Sequence, residues 1–180
     1  SRPLFGKRIA VTRTRQQAGD LVQRLRELGA DAFDMPSIRI EPAPNKREFY
    51  EIVAYSHSYE WIIFTSPNGV DAFFGAFYDL YKDARSLGAA RIAAIGPATA
   101  ERVRSYRFAV DVQPEKYVAE EILKALQKEA SLENVKVLLA RAEGARDVLP
   151  VELEKLGAIV DETVAYRTVP ETEDASGGIE

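Results

Sequence analysis

The sequence predicts an α/β fold of two doubly wound parallel-sheet domains, internally duplicated and joined by a two-stranded linker. Three observations lead there. Short β-rich runs alternate with helical patterns along the chain, the signature of βα units and parallel sheet. Residues 7–42 lie on residues 135–170 without a gap, as a duplicated segment would. Four strand ends open onto polar residues, where open parallel sheets hold their ligands.

The elements follow in order. RIAVT (8–12) reads as a strand, and Leu21, Leu25 and Leu28 then recur at helical spacing before DAFDM (31–35). PSIRIEP (36–42) is extended and bounded by prolines. Asn45 followed by Glu48 is a capping box opening a helix over 46–56. WIIFT (61–65), RIAAI (91–95) and AVDVQ (109–113) are further strands. Ile122, Leu123 and Leu126 mark a helix between AVDVQ and the strand VKVLLA (135–140). AIVDET (158–163) is the last strand, and AYRTVP (165–170) is a second extended segment ending in proline. In the repeat Arg13 meets Arg141, Leu21 meets Leu149, Leu25 meets Leu153, and each copy carries Leu-Gly-Ala where a glycine caps its helix. Arg39 meets Arg167, and Pro42 meets Pro170.

The repeat sets the expected domains. Residues 43–164 make a complete α/β domain, and 37–42 and 165–170 are linker strands running out of one domain and back. Residues 1–36 with 171–180 make a first domain that is incomplete, since one β-α-β unit buries too little core to fold alone. Roughly 90 further residues are expected to complete it beyond position 180.

Composition narrows the chemistry. The chain has 180 residues, no cysteine and one histidine, which excludes a thiol nucleophile, a disulfide framework and cysteine-bound zinc. A serine–histidine triad would have to use His57, and no Ser/Asp pair or metal-ligand spacing surrounds it in SHSYE, so His57 reads as a solvent-facing helix-end residue. The net charge of −4 argues against nucleic acid as the main partner. The basic stretch around Lys82, Arg85, Arg91 and Arg102 is interleaved with Asp71 and Glu101 and reads as solvated surface. Apolar runs are short and SRPLFGKRIAV leads straight into a strand, so a cytoplasmic protein without a membrane span is expected. With no long exposed apolar face in the pattern, a monomer is expected too.

The four polar junctions are the candidate site. They are VTRTRQ with Thr12 and Arg13, FTSPNGV with Thr65, Ser66 and Asn68, AIGPATA with Gly96 and Thr99, and LARAEGARD with Arg141 and Arg146. Pro67 and Pro97 suit the first turn of a helix, Ser66 is a natural N-cap, and Gly96 lets a backbone or ligand come close. Capping explains each junction singly but does not require arginines, which are suited to holding carboxylates. Neither GxGxxG nor GxxxxGK[ST] occurs, so none of these is a phosphate loop of those types.

Taken together, the VTR start, FTSPNGV, AIGPATA, LLARAEGARDVLP and VAYRTVP resemble the uroporphyrinogen-III synthase family, and the resemblance covers the whole chain. It implies two flavodoxin-like α/β domains with the substrate between them, part of that cleft lying in the unfinished domain. The implied substrate is hydroxymethylbilane, a linear tetrapyrrole with eight carboxylates, closed to uroporphyrinogen III with inversion of the last ring and loss of water. No cofactor and no metal are implied. Tyr166 matches the tyrosine placed near the leaving hydroxyl, where it either protonates or positions that group. Thr12, Arg13, Thr65, Ser66, Asn68, Gly96, Thr99, Arg141 and Arg146 would be substrate-binding donors. Two other readings remain open from the residues alone. One is a non-catalytic two-lobed module for a small anionic ligand, and the other a flavodoxin-like or response-regulator-like domain, for which no acidic phospho-acceptor cluster or flavin-stacking aromatic pair is evident.

Overall fold

A computed structural model describes residues 2–12, 15–34 and 38–170. The chain divides into two compact units, one of residues 42–167 and one of the described residues up to Glu41 and from Thr168 onward.

The smaller unit is built on one βαβ crossover. Strand β1 (Arg8–Val11) lies parallel to β2 (Asp31–Asp34), and helix α1 (Arg15–Glu27) connects them, as parallel neighbours require. Val11, Val22, Ala30 and Ala32 form its buried core, with Leu4, Ile9, Leu21 and Leu25 packed on the rim. Helix α1 stops because Gly29 adopts a φ of 94°, bonding its N–H to Arg26 O while the Ala30 N–H reaches Leu25 O. Leu28 is therefore past the helix and exposed.

Strand β3 (Ile38–Pro42) belongs to the smaller unit up to Glu41. The larger unit holds a sheet of order β7-β6-β4-β5, formed by β4 (Trp61–Phe64), β5 (Arg91–Ala94), β6 (Lys136–Ala142) and β7 (Ile159–Pro170) as far as Arg167. β5, β4, β6 and β7 are mutually parallel. Every residue of β4 is buried, as expected for a central strand covered on both faces. Trp61 and Ile63 join Val137 and Leu139 in a core completed by α5 (Ala119–Glu129) and α6 (Leu149–Lys155) through Ile122, Leu126, Leu149 and Leu153. On the opposite face Phe64 meets Phe73 edge-on, with ring centroids 5.3 Å apart. Phe73, Phe74 and Phe77 all come from α3 (Pro67–Leu80), which packs between α2 (Lys46–Ala54) and α4 (Pro97–Ser105). Each fully buried phenylalanine contributes about 1.5–3 kcal/mol, so α3 is the main apolar anchor of this face.

The N-cap half of the predicted capping box forms, with Asn45 Oδ1 accepting the Glu48 N–H at 3.2 Å, while Glu48 turns back to the Asn45 side chain and accepts from its Nδ2. The helix ends at Ala54 rather than 56, giving way to a short 3₁₀ turn over Ser56–Ser58 in which His57 is exposed. AVDVQ differs from its predicted strand. It makes only an isolated bridge from Val112 to Ala93, because Asp111 turns its side chain back onto the Ile92 N–H and Pro114 supplies no donor to extend the ladder. A second difference is that AIVDET and AYRTVP are one continuous strand, β7. Among the described residues, no helix is long and apolar enough to cross a membrane.

Candidate functional site

The sheet order places a reversal at the centre of the larger unit. From β4 the chain passes through α3 to β5 on one side, whereas β6 lies on the other side of β4 and continues to β7. The carboxyl ends of β4 and β6 therefore flank a topological switch point, the place where open parallel sheets take ligands.

FTSPNGV sits at the β4 end of that crevice. Ser66 is extended and caps α3, its Oγ accepting the Gly69 N–H at 3.2 Å, with Pro67 in the first turn. Thr65, Ser66 and Asn68 are half-buried. Among the described residues the Asn68 N–H has no partner, so one helix-start donor faces outward. Gly69 is needed for close approach: a Cβ there would lie 3.2 Å from Ala140 O of β6 and 3.8 Å from the Tyr166 ring.

Tyr166 reaches the same point from β7. Arg141 of β6 pairs with Val164, but Ala142 pairs with Tyr166, so Ala165 is an extra residue and the strand carries a bulge. Thr163 is buried and Val164 exposed, so strict alternation would bury Ala165 and expose Tyr166. The bulge resets the alternation, and Tyr166 is only 7% exposed. Its hydroxyl lies 2.9 Å from Ser66 Oγ, and either oxygen can donate. The structure thus joins two residues that are far apart in sequence.

AIGPATA lies at the end of β5. Gly96 caps α4 with a φ of 84°, and Pro97 occupies the first turn. The Ala98 and Thr99 N–H groups have no partner among the described residues, whereas the Thr99 side chain is buried.

The two arginines of LARAEGARD part company. Arg141 is buried, and its guanidinium is engaged within the chain. Nη1 donates to Glu162 at 2.9 Å, and Nη2 donates to the Tyr117 hydroxyl at 3.0 Å and pairs with Asp147. Tyr117 in turn donates to Asp147 at 2.6 Å. Burial pushes the Tyr117 phenol up from its ordinary value, with Arg141 pulling it down and Glu162 adding to the rise. Arg141 Nε is buried without a partner among the described residues. Arg146 is exposed, with no side-chain partner there, and is the open cation of this junction. Tyr117, Asp147 and Glu162 were not singled out from the sequence; the visible signal was Asp147, two residues before Leu149, whose N–H it caps at 2.9 Å.

Thr12 follows β1 in the smaller unit and is exposed, and Arg13 lies outside the described residues. In the larger unit a cavity of about 200 Å³ lies beside Asn45, Glu48, Glu143 and Glu162. Three carboxylates make it a poor seat for an acidic ligand, so the donor-bearing strand ends remain the better candidate.

Comparison with known proteins shows the family and the fold. The family model for uroporphyrinogen-III synthase HemD matches residues 19–177. A porphyrin biosynthesis protein HemD of Ruminiclostridium josui is 32% identical over 167 residues, covering 93% of this chain and 33% of that protein. A uroporphyrinogen-III synthase of Synechococcus elongatus is 29% identical, covering 92% of this chain and 62% of its own length. The chain thus spans less than two thirds of either relative. Among solved structures, a mutant uroporphyrinogen III synthase of the extremely thermophilic bacterium Thermus thermophilus superposes with a TM-score of 0.67 at 18% identity, covering 92% of this chain and 64% of that one. That likeness establishes the α/β fold.

Proposed function

Because the chain belongs to the uroporphyrinogen-III synthase family, we propose that it acts in closing hydroxymethylbilane to uroporphyrinogen III, in tetrapyrrole and heme biosynthesis. The observation that carries the reading is the Tyr166 hydroxyl, held at the β4/β6 switch point beside Ser66, with helix-start donors nearby that have no partner among the described residues.

The reaction asks for positioning more than for a protein nucleophile. Loss of the hydroxyl as water gives an electrophilic azafulvene. The substituted carbon of the terminal pyrrole attacks it to give a spiro intermediate, and fragmentation and re-closure invert the last ring. The pyrrole is already nucleophilic, so the protein folds the chain, assists the leaving hydroxyl and receives the acid groups. Tyr166 takes the leaving hydroxyl. Thr65, Asn68 and Thr99 receive carboxylates through hydroxyl, amide or backbone N–H groups at two helix starts, where the helix dipole favours negative charge. Ser66 adds only its backbone N–H, and Gly96, whose own N–H is bonded to Pro114 O, lets a ligand come close. Arg146 adds an open cation. Arg141 holds the site's frame. The same glycine-capped turn ends the helix in each copy of the repeat, with the Ala158 N–H bonded to Leu153 O just as Ala30 is to Leu25 O, which supports a duplicated two-domain architecture.

An isomer assay tests the proposal. Freshly made hydroxymethylbilane is given to the chain, and the oxidised products are separated into type I and type III porphyrins. Type III formed faster than spontaneous closure gives type I is the expected result. Type I alone, both from this chain and from a form extended to the length of its relatives, each shown to be folded by circular dichroism, overturns it.

A further inference from the structure

We infer that Ser66 is a positioning residue for this reaction, its hydroxyl donating to Tyr166 Oη as that phenol passes its proton to the leaving hydroxyl of the substrate. The inference rests on the synthase reading and assigns a role to a residue that otherwise reads as a helix cap.

Either oxygen of the Ser66–Tyr166 contact can donate, and the Gly69 contact favours Ser66 as the donor. Ser66 Oγ accepts the Gly69 N–H, which commits one lone pair to the start of a 14-residue helix. An accepting hydroxyl is polarised as a donor, and hydrogen bonds arranged head to tail strengthen one another. The acceptor within reach of its proton is Tyr166 Oη at 2.9 Å. The aligned peptide dipoles of α3 place partial positive charge behind this chain of bonds. Tyr166 is nearly buried and turned inward by the β7 bulge, so water has little access to replace Ser66. Gly69 keeps the first turn of α3 close enough for the contact, since its missing side chain leaves room for both Ala140 O and the Tyr166 ring.

The proton and electron count closes without another reactant. The Tyr166 O–H bond breaks and its proton joins the substrate hydroxyl. The C–O bond breaks with its electron pair, water leaves, and the pyrrole nitrogen lone pair completes the azafulvenium cation. The phenolate that remains accepts the Ser66 hydrogen bond. Ring closure then releases one proton, which returns to the phenolate. Hydrogen bonds to a charged partner are stronger in net terms than those between neutral groups, so Ser66 contributes most when Tyr166 carries charge. Its effect therefore falls on the chemical step and not on substrate binding.

Two variants separate this role from capping. Glycine is nearly as good an N-cap as serine, so Ser66→Gly keeps the helix start and removes the hydroxyl, whereas Ser66→Thr keeps both. Type III formation by Ser66→Gly is expected to lose roughly 10- to 100-fold in kcat, with KM within about twofold, and Ser66→Thr to recover most of it. In protein labelled at tyrosine Cζ, the Tyr166 carbon resonance, identified by its loss in Tyr166→Phe, should move in Ser66→Gly and stay near its original position in Ser66→Thr. Type III from the unaltered chain with no kcat loss in Ser66→Gly overturns this inference alone, as does an unmoved Tyr166 resonance. Type I alone from the unaltered chain and from its form extended to the length of its relatives overturns the synthase reading and this inference with it.

Discussion

Arg141 and Arg146 lie five positions apart on one junction and do different work. Arg141 is buried and bound to two carboxylates and a phenol, so its removal strands Asp147 and Glu162 and leaves a cavity. Breaking a buried ion pair costs about 3–5 kcal/mol. Since Glu162 is half exposed and can rehydrate, Arg141→Ala is expected near the lower end, about 3 kcal/mol, read as a lower urea midpoint. Arg146→Ala should change stability by less than about 0.5 kcal/mol and raise KM in the isomer assay; a stability loss like that of Arg141 would show that Arg146 is also structural. The sequence marks both only as arginines after a strand. The difference between them lies in partners supplied by β7 and by the segment before α5, which a local reading does not contain. Ser66 and Tyr166 illustrate the same limit, since each was legible as a polar group and their contact was not.

At the scale of elements, signals that complete themselves within one turn were legible. The Asn45 cap, the Ser66-Pro67 and Gly96-Pro97 starts, and the Leu-Gly-Ala stops all form as read, because donor and acceptor are sequence neighbours. The failed AVDVQ strand and the bulge in β7 depend on the neighbouring strand, and no local pattern specifies them. Helix α3 offers a test of how far local propensity governs this element. Gly75 is exposed, and a Cβ there meets nothing within 4 Å. Gly75→Ala should therefore stabilise the chain by about 0.5–1 kcal/mol, the ordinary gain of alanine over glycine inside a helix. Gly69→Ala receives the same propensity gain but forces its methyl to within 3.2 Å of a carbonyl in the central sheet. Either β6 or the start of α3 must give way, so Gly69→Ala should melt lower than the unaltered chain. Thermal melts of the two variants that rise together would refute the close-approach role assigned to Gly69.

Across the whole molecule, the eight tyrosines and the single tryptophan all fall within residues 42–167, so their optical signals report that unit alone. Several of these phenols are held against carboxylates. Tyr59 donates to Asp161 at 2.5 Å, and Tyr106 donates to Asp71 at 2.7 Å while Arg102 pairs with the same carboxylate. Burial first, and then the hydrogen bond to the carboxylate, raises both; Tyr106 reaches about 12 and Tyr59 goes higher. Unfolded tyrosine ionises near 10. Below that pH both states keep the proton and the stabilisation is complete. Above it the unfolded chain releases protons that the folded chain retains, so stability falls as pH rises toward the folded values. The urea midpoint followed by Trp61 fluorescence should therefore drop between about pH 10 and 12. Tyr59→Phe combined with Tyr106→Phe should flatten that drop, because phenylalanine has no proton to release. A midpoint that falls as steeply in the double variant would show that the alkaline loss comes from other groups and that these two phenol–carboxylate contacts are not what ties the unit's stability to pH.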